Sequence, residues 1–211
     1  MAGDNIMPLR YVQGAQAATG IGMVPRRIHI TGAAGSGTTT LGRALAAATG
    51  ALHLDTDDVY WLPTDPPFQE KRPIPDRLAL LEQAFGRTDR WALAGSLIGW
   101  GDPLIPRFDL VVFLYVPPAL RLQRLRAREI ERYGAETLGP GGAMHAAHHA
   151  FLDWAEAYDT GTRVSRNRQA HEAWLSRLPC PVLCIEGDTT VEDRVRRVQS
   201  VRLGEGRAWR G

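Results

Sequence analysis

The segment Gly32-Ala33-Ala34-Gly35-Ser36-Gly37-Thr38-Thr39 constrains the fold more than any other stretch of the chain. It follows residues 27–31 (RIHIT), a β-branched run with the composition of a buried strand. It opens residues 39–49, where Leu41 and Leu45 stand at i and i+4 of a helix that Gly50 ends. A strand that turns through glycines into a helix aims successive backbone N–H groups into the turn, and the helix adds the positive end of its dipole. Such a turn is a cradle for a phosphate. The spacing G-x-x-x-x-G is followed by Thr38-Thr39-Thr40, so a hydroxyl falls at Thr39, where a Mg²⁺ ligand is expected. The usual lysine position is Thr38, which offers a hydrogen bond but no charge. The glycines run G-x-x-G-x-G and do not match the G-x-G-x-x-G of a dinucleotide fold.

Beyond this turn, strand and helix patterns alternate. Strands are expected at 27–31, 51–54, 91–94, 110–116 and 182–186, and the apolar run LVVFLYV at 110–116 reads as a central parallel strand. Helices are expected at 39–49, 76–85, 118–133, 143–159, 163–177 and 190–201, with a proline-rich loop at 60–75. This order implies a three-layer α/β/α architecture around a parallel sheet of about five strands. Ligands of such sheets bind at the carboxyl ends of the strands, where the glycine turn, Asp55 to Asp58 and Gly95-Ser96 all fall.

Asp55, Asp57 and Asp58 cluster at the end of the second strand. In extended chain Asp55 and Asp57 share a side, and such a pair can hold a Mg²⁺ and accept a proton from a substrate hydroxyl; capping or a solvated turn would use the same residues. Arg121, Arg124, Arg128 and Arg132 fall within about an 80° arc of one helix face. Four like charges on one face call for an anion or for neighbouring carboxylates, and Glu129 and Glu131 balance them in part. Arg163, Arg166 and Arg168 form a second basic group. Tyr60, Trp61, Phe68 and Arg72 can flank a base or another ring, whereas Trp91, Trp100 and Trp174 suit core or pocket wall. His145, His148 and His149 lack an evident further ligand and read as solvated histidines.

Net charge is +2, and aromatic residues do not interleave with the arginines, so composition argues against a nucleic-acid partner. No apolar run approaches the ~20 residues of a membrane span. Residues 1–25 lack the pattern of a secretory signal and read as a disordered tail; residues 204–211 read as a flexible one. Cys180 and Cys184 would lie about 13 Å apart on a strand, too far for a disulfide. A cytoplasmic protein is expected, as a monomer or homodimer.

Together these residues resemble the P-loop nucleoside-monophosphate and small-metabolite kinases, a family that includes adenylate, shikimate and gluconate kinases. The resemblance covers residues 26–203 in order of elements and implies a P-loop NTPase fold with a small helical lid at about residues 121–168. The turn from Gly32 to Thr39, with its run Thr38-Thr39-Thr40, is similar to archaeal-type cytidylate kinases, which also carry threonine in place of lysine. Asp55-Thr56-Asp57 is similar to the Asp-x-Asp of shikimate-type kinases, and the helix 121–132 resembles an arginine-bearing lid. The resemblance implies ATP and Mg²⁺ as cofactors and a nucleotide or small-molecule acceptor. It implies phosphate contacts from Gly32, Ala33, Ala34, Gly35, Ser36, Gly37, Thr38, Thr39 and Thr40, and metal contacts from Thr39 and Asp55. Catalysis would fall to Asp57, Arg124, Arg128, Arg163 and Arg166. Acceptor contacts would come from Asp55, Asp57, Tyr60, Trp61, Arg72, Gly95 and Ser96. A nucleotide-binding regulator without turnover is the alternative that Thr38 keeps open.

Overall fold

The computed structural model describes residues 15–16, 22–65, 67–161 and 166–204. Most of the expected tails, and Arg163, lie outside the described residues. In chain order the strands are β1 (Ala15–Gln16), β2 (Arg27–Gly32), β3 (Leu52–Asp55), β4 (Trp91–Ala94), β5 (Leu110–Tyr115), β6 (Val182–Glu186) and β7 (Arg202–Leu203). The helices are α1 (Thr38–Thr49), α2 (Thr56–Tyr60), α3 (Ile74–Phe85), α4 (Pro118–Tyr133), α5 (Ala135–Leu138), α6 (His145–Glu156), α7 (Arg168–Leu175) and α8 (Val191–Ser200), with a 3₁₀ turn at Asp102–Arg107.

β3, β4, β2, β5 and β6 form one parallel sheet in that order. β2, the first strand of this sheet in chain order, therefore lies at its centre, and the glycine turn leaves from it. β2, β4 and β5 are buried along their length because helices cover both faces, and their sequences accordingly carry near-continuous apolar runs. On one face Leu41 and Leu45 of α1 and Val198 of α8 pack on Ile28, Ile30, Val112 and Leu114. On the other, Leu81 and Phe85 of α3 and Trp174 and Leu175 of α7 pack on Trp91, Leu93, Val111 and Phe113. Phe85 stacks on Trp91 with ring centres 4.2 Å apart. A third cluster joins α4 to α6 through Leu122, Leu125, Leu152 and Ala155. This is a three-layer α/β/α fold around a five-stranded parallel sheet.

Three expectations change. The second strand runs one residue further, to Asp55, and the carboxylate cluster expected at its end folds into the short helix α2. Asp55 caps that helix by accepting from the Asp57 N–H, so Asp57 stands in the first turn of α2 and the two do not alternate along a strand. Cys180 stands ahead of β6, and both cysteines are free thiols. Among the described terminal residues, β1 pairs antiparallel with β7, and Met23 accepts a hydrogen bond from the Leu203 N–H. No described helix is long and apolar enough to cross a membrane.

Candidate phosphate-binding site

The turn between β2 and α1 is built so that its amides stay free. Gly35 and Gly37 take φ of 79° and 90°, the left-handed region that favours glycine. A side chain on Gly32 would lie 2.5 Å from the Leu114 carbonyl, so that position is closed to any other residue. Gly37 sits at the N-cap of α1 without a side-chain cap. The amides of Ala34, Gly35, Gly37, Thr38, Thr39 and Thr40 find no acceptor among the described residues. Unmade amide bonds at a helix start are costly unless water or an anion takes them. The Thr39 hydroxyl donates to the Asp55 carboxylate at 2.6 Å. That places a hydroxyl and a carboxylate oxygen together beneath the turn, a donor set suited to a hard divalent cation.

Arginines surround the outside of the turn. Arg166 donates to the Gly32 carbonyl at 2.9 Å, Arg194 of α8 to Ser36 at 2.9 Å, and Arg121 to Ala34 at 3.4 Å. Arg166 is the one among them whose charge is felt by Asp57 and Asp55. Burial holds its pKa below the ordinary value and Asp57 opposes that, yet a guanidinium stays protonated throughout. Its Nε is buried with no hydrogen-bond partner among the described residues. Asp57 is pushed the other way. Crowding by protein, then the Asp55 charge, raise its pKa, while Arg166 and Arg128 pull it down. Asp57 keeps an exposed face, so water softens this shift.

The arginine face of α4 divides. Arg121 is fully buried, ion-paired with Asp159 and packed over the Tyr158 ring, so it belongs to the core and not to an open face. Such burial is tolerable only because Asp159 and three backbone carbonyls take its donors. Arg124 pairs with Asp188 at 2.6 Å. Arg128 leans on Phe151, and Arg132 lies over Phe68 with 5.3 Å to the ring centre.

On the Asp57 side, Tyr60 and Trp61 contact edge to face, and Tyr60 meets Trp100 the same way. Arg72 is held by the Val59 carbonyl at 3.0 Å, fixing the loop back onto α2. The side chain nearest these rings was not anticipated: Arg77 of α3 lies 3.9 Å over Tyr60, is 6 % exposed, and has no carboxylate partner among the described residues. Arg77 and Arg194 carry no motif, and only their position on a helix could have drawn attention to them. Gly95 does not leave room for a ligand. With φ of 114° it would place a Cβ 1.8 Å from the Thr56 hydroxyl, so that space belongs to Thr56. Ser96 accepts from the Trp100 indole through its backbone carbonyl at 3.1 Å and serves the fold there.

No model of a known protein family matches the chain. Among solved structures it superposes on a gluconokinase from Sinorhizobium meliloti 1021 with a TM-score of 0.44 and 15 % identity, over 83 % of this chain and 90 % of that one. It superposes on a shikimate kinase from Bacteroides thetaiotaomicron with a TM-score of 0.45 and 19 % identity, over 83 % of this chain and 97 % of that one. Identities this low and superpositions this loose say nothing of activity. In sequence it is 49 % identical over 173 residues to the uncharacterized protein YqaC of Bacillus subtilis (strain 168), a match covering 82 % of this chain and 95 % of that protein, and the chain belongs to the YqaC family.

Proposed function

We propose that the chain is an ATP-dependent phosphotransferase that passes the γ-phosphoryl group of Mg-ATP to a nucleoside monophosphate or a small hydroxy-metabolite. The observation that carries this reading is the Thr39 hydroxyl on the Asp55 carboxylate at 2.6 Å, directly beneath the uncapped start of α1. The free amides of the turn would hold the β-phosphate, and Thr39 with Asp55 the metal and its waters. Magnesium, when bound with ATP, supplies charge neutralisation across the phosphates. When the acceptor is a hydroxyl, Asp57 takes its proton as the hydroxyl oxygen bonds to the γ-phosphorus, and ADP leaves with the broken β–γ bridge oxygen; a monophosphate acceptor attacks through an already deprotonated phosphate oxygen. Arg166 stands in for the missing lysine, since it is held at Gly32 and shares its field with Asp57. Arg124 and Arg128, from the lid at about residues 121–168, add charge as the lid closes. Tyr60, Trp61 and Arg72, with Arg77, would line the acceptor side.

The alternative is a nucleotide-binding regulator without turnover. It is favoured by Thr38, and by arginine donors already committed to loop carbonyls. ADP release from Mg-ATP, screened over nucleoside monophosphates and hydroxy-metabolites with Asp57→Asn as control, separates the two. Turnover with one acceptor, abolished in the variant, is the expected result. Mg-ATP binding with no ADP from any acceptor would leave the regulator standing.

A further inference from the structure

Beneath the phosphate turn runs a buried polar chain that neither phosphate binding nor proton transfer uses. Thr31, the residue before Gly32, is hydrogen-bonded to Nε2 of His171 at 3.1 Å, and Nδ1 of His171 is hydrogen-bonded to the Tyr158 hydroxyl at 2.9 Å. All three residues are almost wholly buried, with His171 and Thr31 at 0 % and 1 % exposure. Polar groups in such a place cost stability relative to apolar ones of the same shape unless each is satisfied, so their geometry is strictly set.

Both ends of this chain lead to Arg166. Tyr158 accepts from the Arg168 N–H through its carbonyl at 2.9 Å, which joins the end of the α6 turn to the start of α7. Asn167, buried, caps α7 by accepting from the Ala170 N–H at 2.7 Å, and its carbonyl accepts from the His171 N–H at 3.1 Å. Arg166 therefore directly precedes a capped first turn whose last residue is bolted to Thr31. One residue on from Thr31, the Gly32 carbonyl receives Arg166 Nη2. A closed ring results: Thr31, Gly32, Arg166, Asn167, His171 and back to Thr31. From α4, Arg121 ties the end of α6 to the glycine turn, since it pairs with Asp159 and donates to Ala155 and Ala34. A long side chain held at one carbonyl alone would sample many rotamers; the ring fixes the backbone from which it reaches.

We propose that Thr31, His171 and Tyr158 are positioning residues that hold Arg166 on the phosphate turn, so that side chains outside the phosphate contacts set nucleotide affinity. This rests on the nucleotide-binding reading of the same turn, and its test has an arm that does not. Thr31→Val and Tyr158→Phe each delete one hydroxyl at nearly constant volume, and urea unfolding checks that both variants fold. Mg-ATP titrations by calorimetry are run on the wild-type chain, both variants, Arg166→Ala and the double variants. Each hydroxyl deletion is expected to weaken Mg-ATP about tenfold in the wild-type background and not at all in Arg166→Ala, because a coupled pair is non-additive. Equal losses in both backgrounds would make the chain a general stability element and overturn the proposal, as would no loss in either. The second arm is amide hydrogen exchange of the protein without nucleotide. Amides of 166–171 should exchange about tenfold faster in Thr31→Val, by loss of local protection, while those of the sheet stay as they were. A wild-type chain that binds no Mg-ATP refutes the nucleotide reading alone, and unchanged exchange at 166–171 would then overturn the positioning role by itself.

Discussion

The proposed site depends on two residues of opposite charge, Arg166 and Asp57. Thr38 removes a cation from the place where a phosphate loop ordinarily has one, and Arg166 brings one back from the other end of the chain. An arginine is a planar fork instead of a point charge, so it must be held in orientation to be useful. Asp57 feels that fork. Crowding and Asp55 raise its pKa above the ordinary aspartate value, and Arg166 and Arg128 only partly offset this. In the proposed reaction Asp57 accepts a proton and must be ionised, so activity is expected to be lost as pH falls through its raised pKa. The acid limb of kcat/KM should therefore lie above the ordinary aspartate range, and Arg166→Ala should move it higher still, because a cation that favours the carboxylate is gone. A pH–rate profile of the two proteins checks this; a limb that stays put in the variant would separate Arg166 from Asp57.

At the scale of elements, α2 decides where Asp57 points, and Gly95 makes room for α2. Thr56, the first residue of that helix, is buried against Gly95 at the end of β4. Gly95→Ala combines a contact no Cβ tolerates with a φ of 114°, and it is expected to cost about 2 kcal/mol or more. Thr56→Ala in the same chain should return the steric part and leave the backbone part. Urea midpoints of the three variants check it; a Gly95→Ala protein as stable as wild type would mean that α2 moves freely. The five strands of the parallel sheet, the glycine turn and the start and end of α4 were legible in the sequence because each is set by local chemistry: apolar runs, glycines, and the Pro118 and Gly134 that bound the helix. α2 was not, because it is one short turn made by a cap from Asp55, and a five-residue helix has no period to read. Nor was the division of the α4 arginines. Arg121 and Arg124 differ by one helical step, yet one is sealed against Asp159 and the other reaches Asp188 at the surface. Only the packing of α6 on α4 tells them apart. Arg77, Arg194 and His171 were missed for the same reason: their partners are brought to them by the fold and not by spacing.

For the molecule as a whole, two neutral histidines join the layers. His29 of β2 is fully buried. Its Nδ1 bonds the Leu93 carbonyl at 3.0 Å, its ring stacks on Phe108, and Trp174 of α7 meets it edge-on. Its Nε2 has no partner among the described residues, so a second proton would have nowhere to bond. Burial lowers its pKa from 6.5 to about 4, and burial together with Arg166 lowers that of His171 to about 3. Both folded-state values lie below the unfolded value. Between pH 6.5 and about 4 the unfolded chain takes up protons that the folded chain refuses, so these groups contribute stability above pH 6.5 that is lost as pH falls. At ~1.4 kcal/mol per pH unit per group, the loss between neutral pH and pH 5 is on the order of a few kcal/mol, large against a typical domain stability. Asp57 and Asp58 act in the opposite direction, since their raised values favour the protonated folded state, but both are open to water and their share is smaller. Urea midpoints are therefore expected to fall steadily from neutral pH to pH 5. His29→Asn does not titrate and can still reach the Leu93 carbonyl, so it should start lower at neutral pH and fall less steeply. A wild-type midpoint that stays flat over that range would mean that the sheet opens enough to hydrate His29, and the two-faced core around β2 would then be less closed than its packing implies.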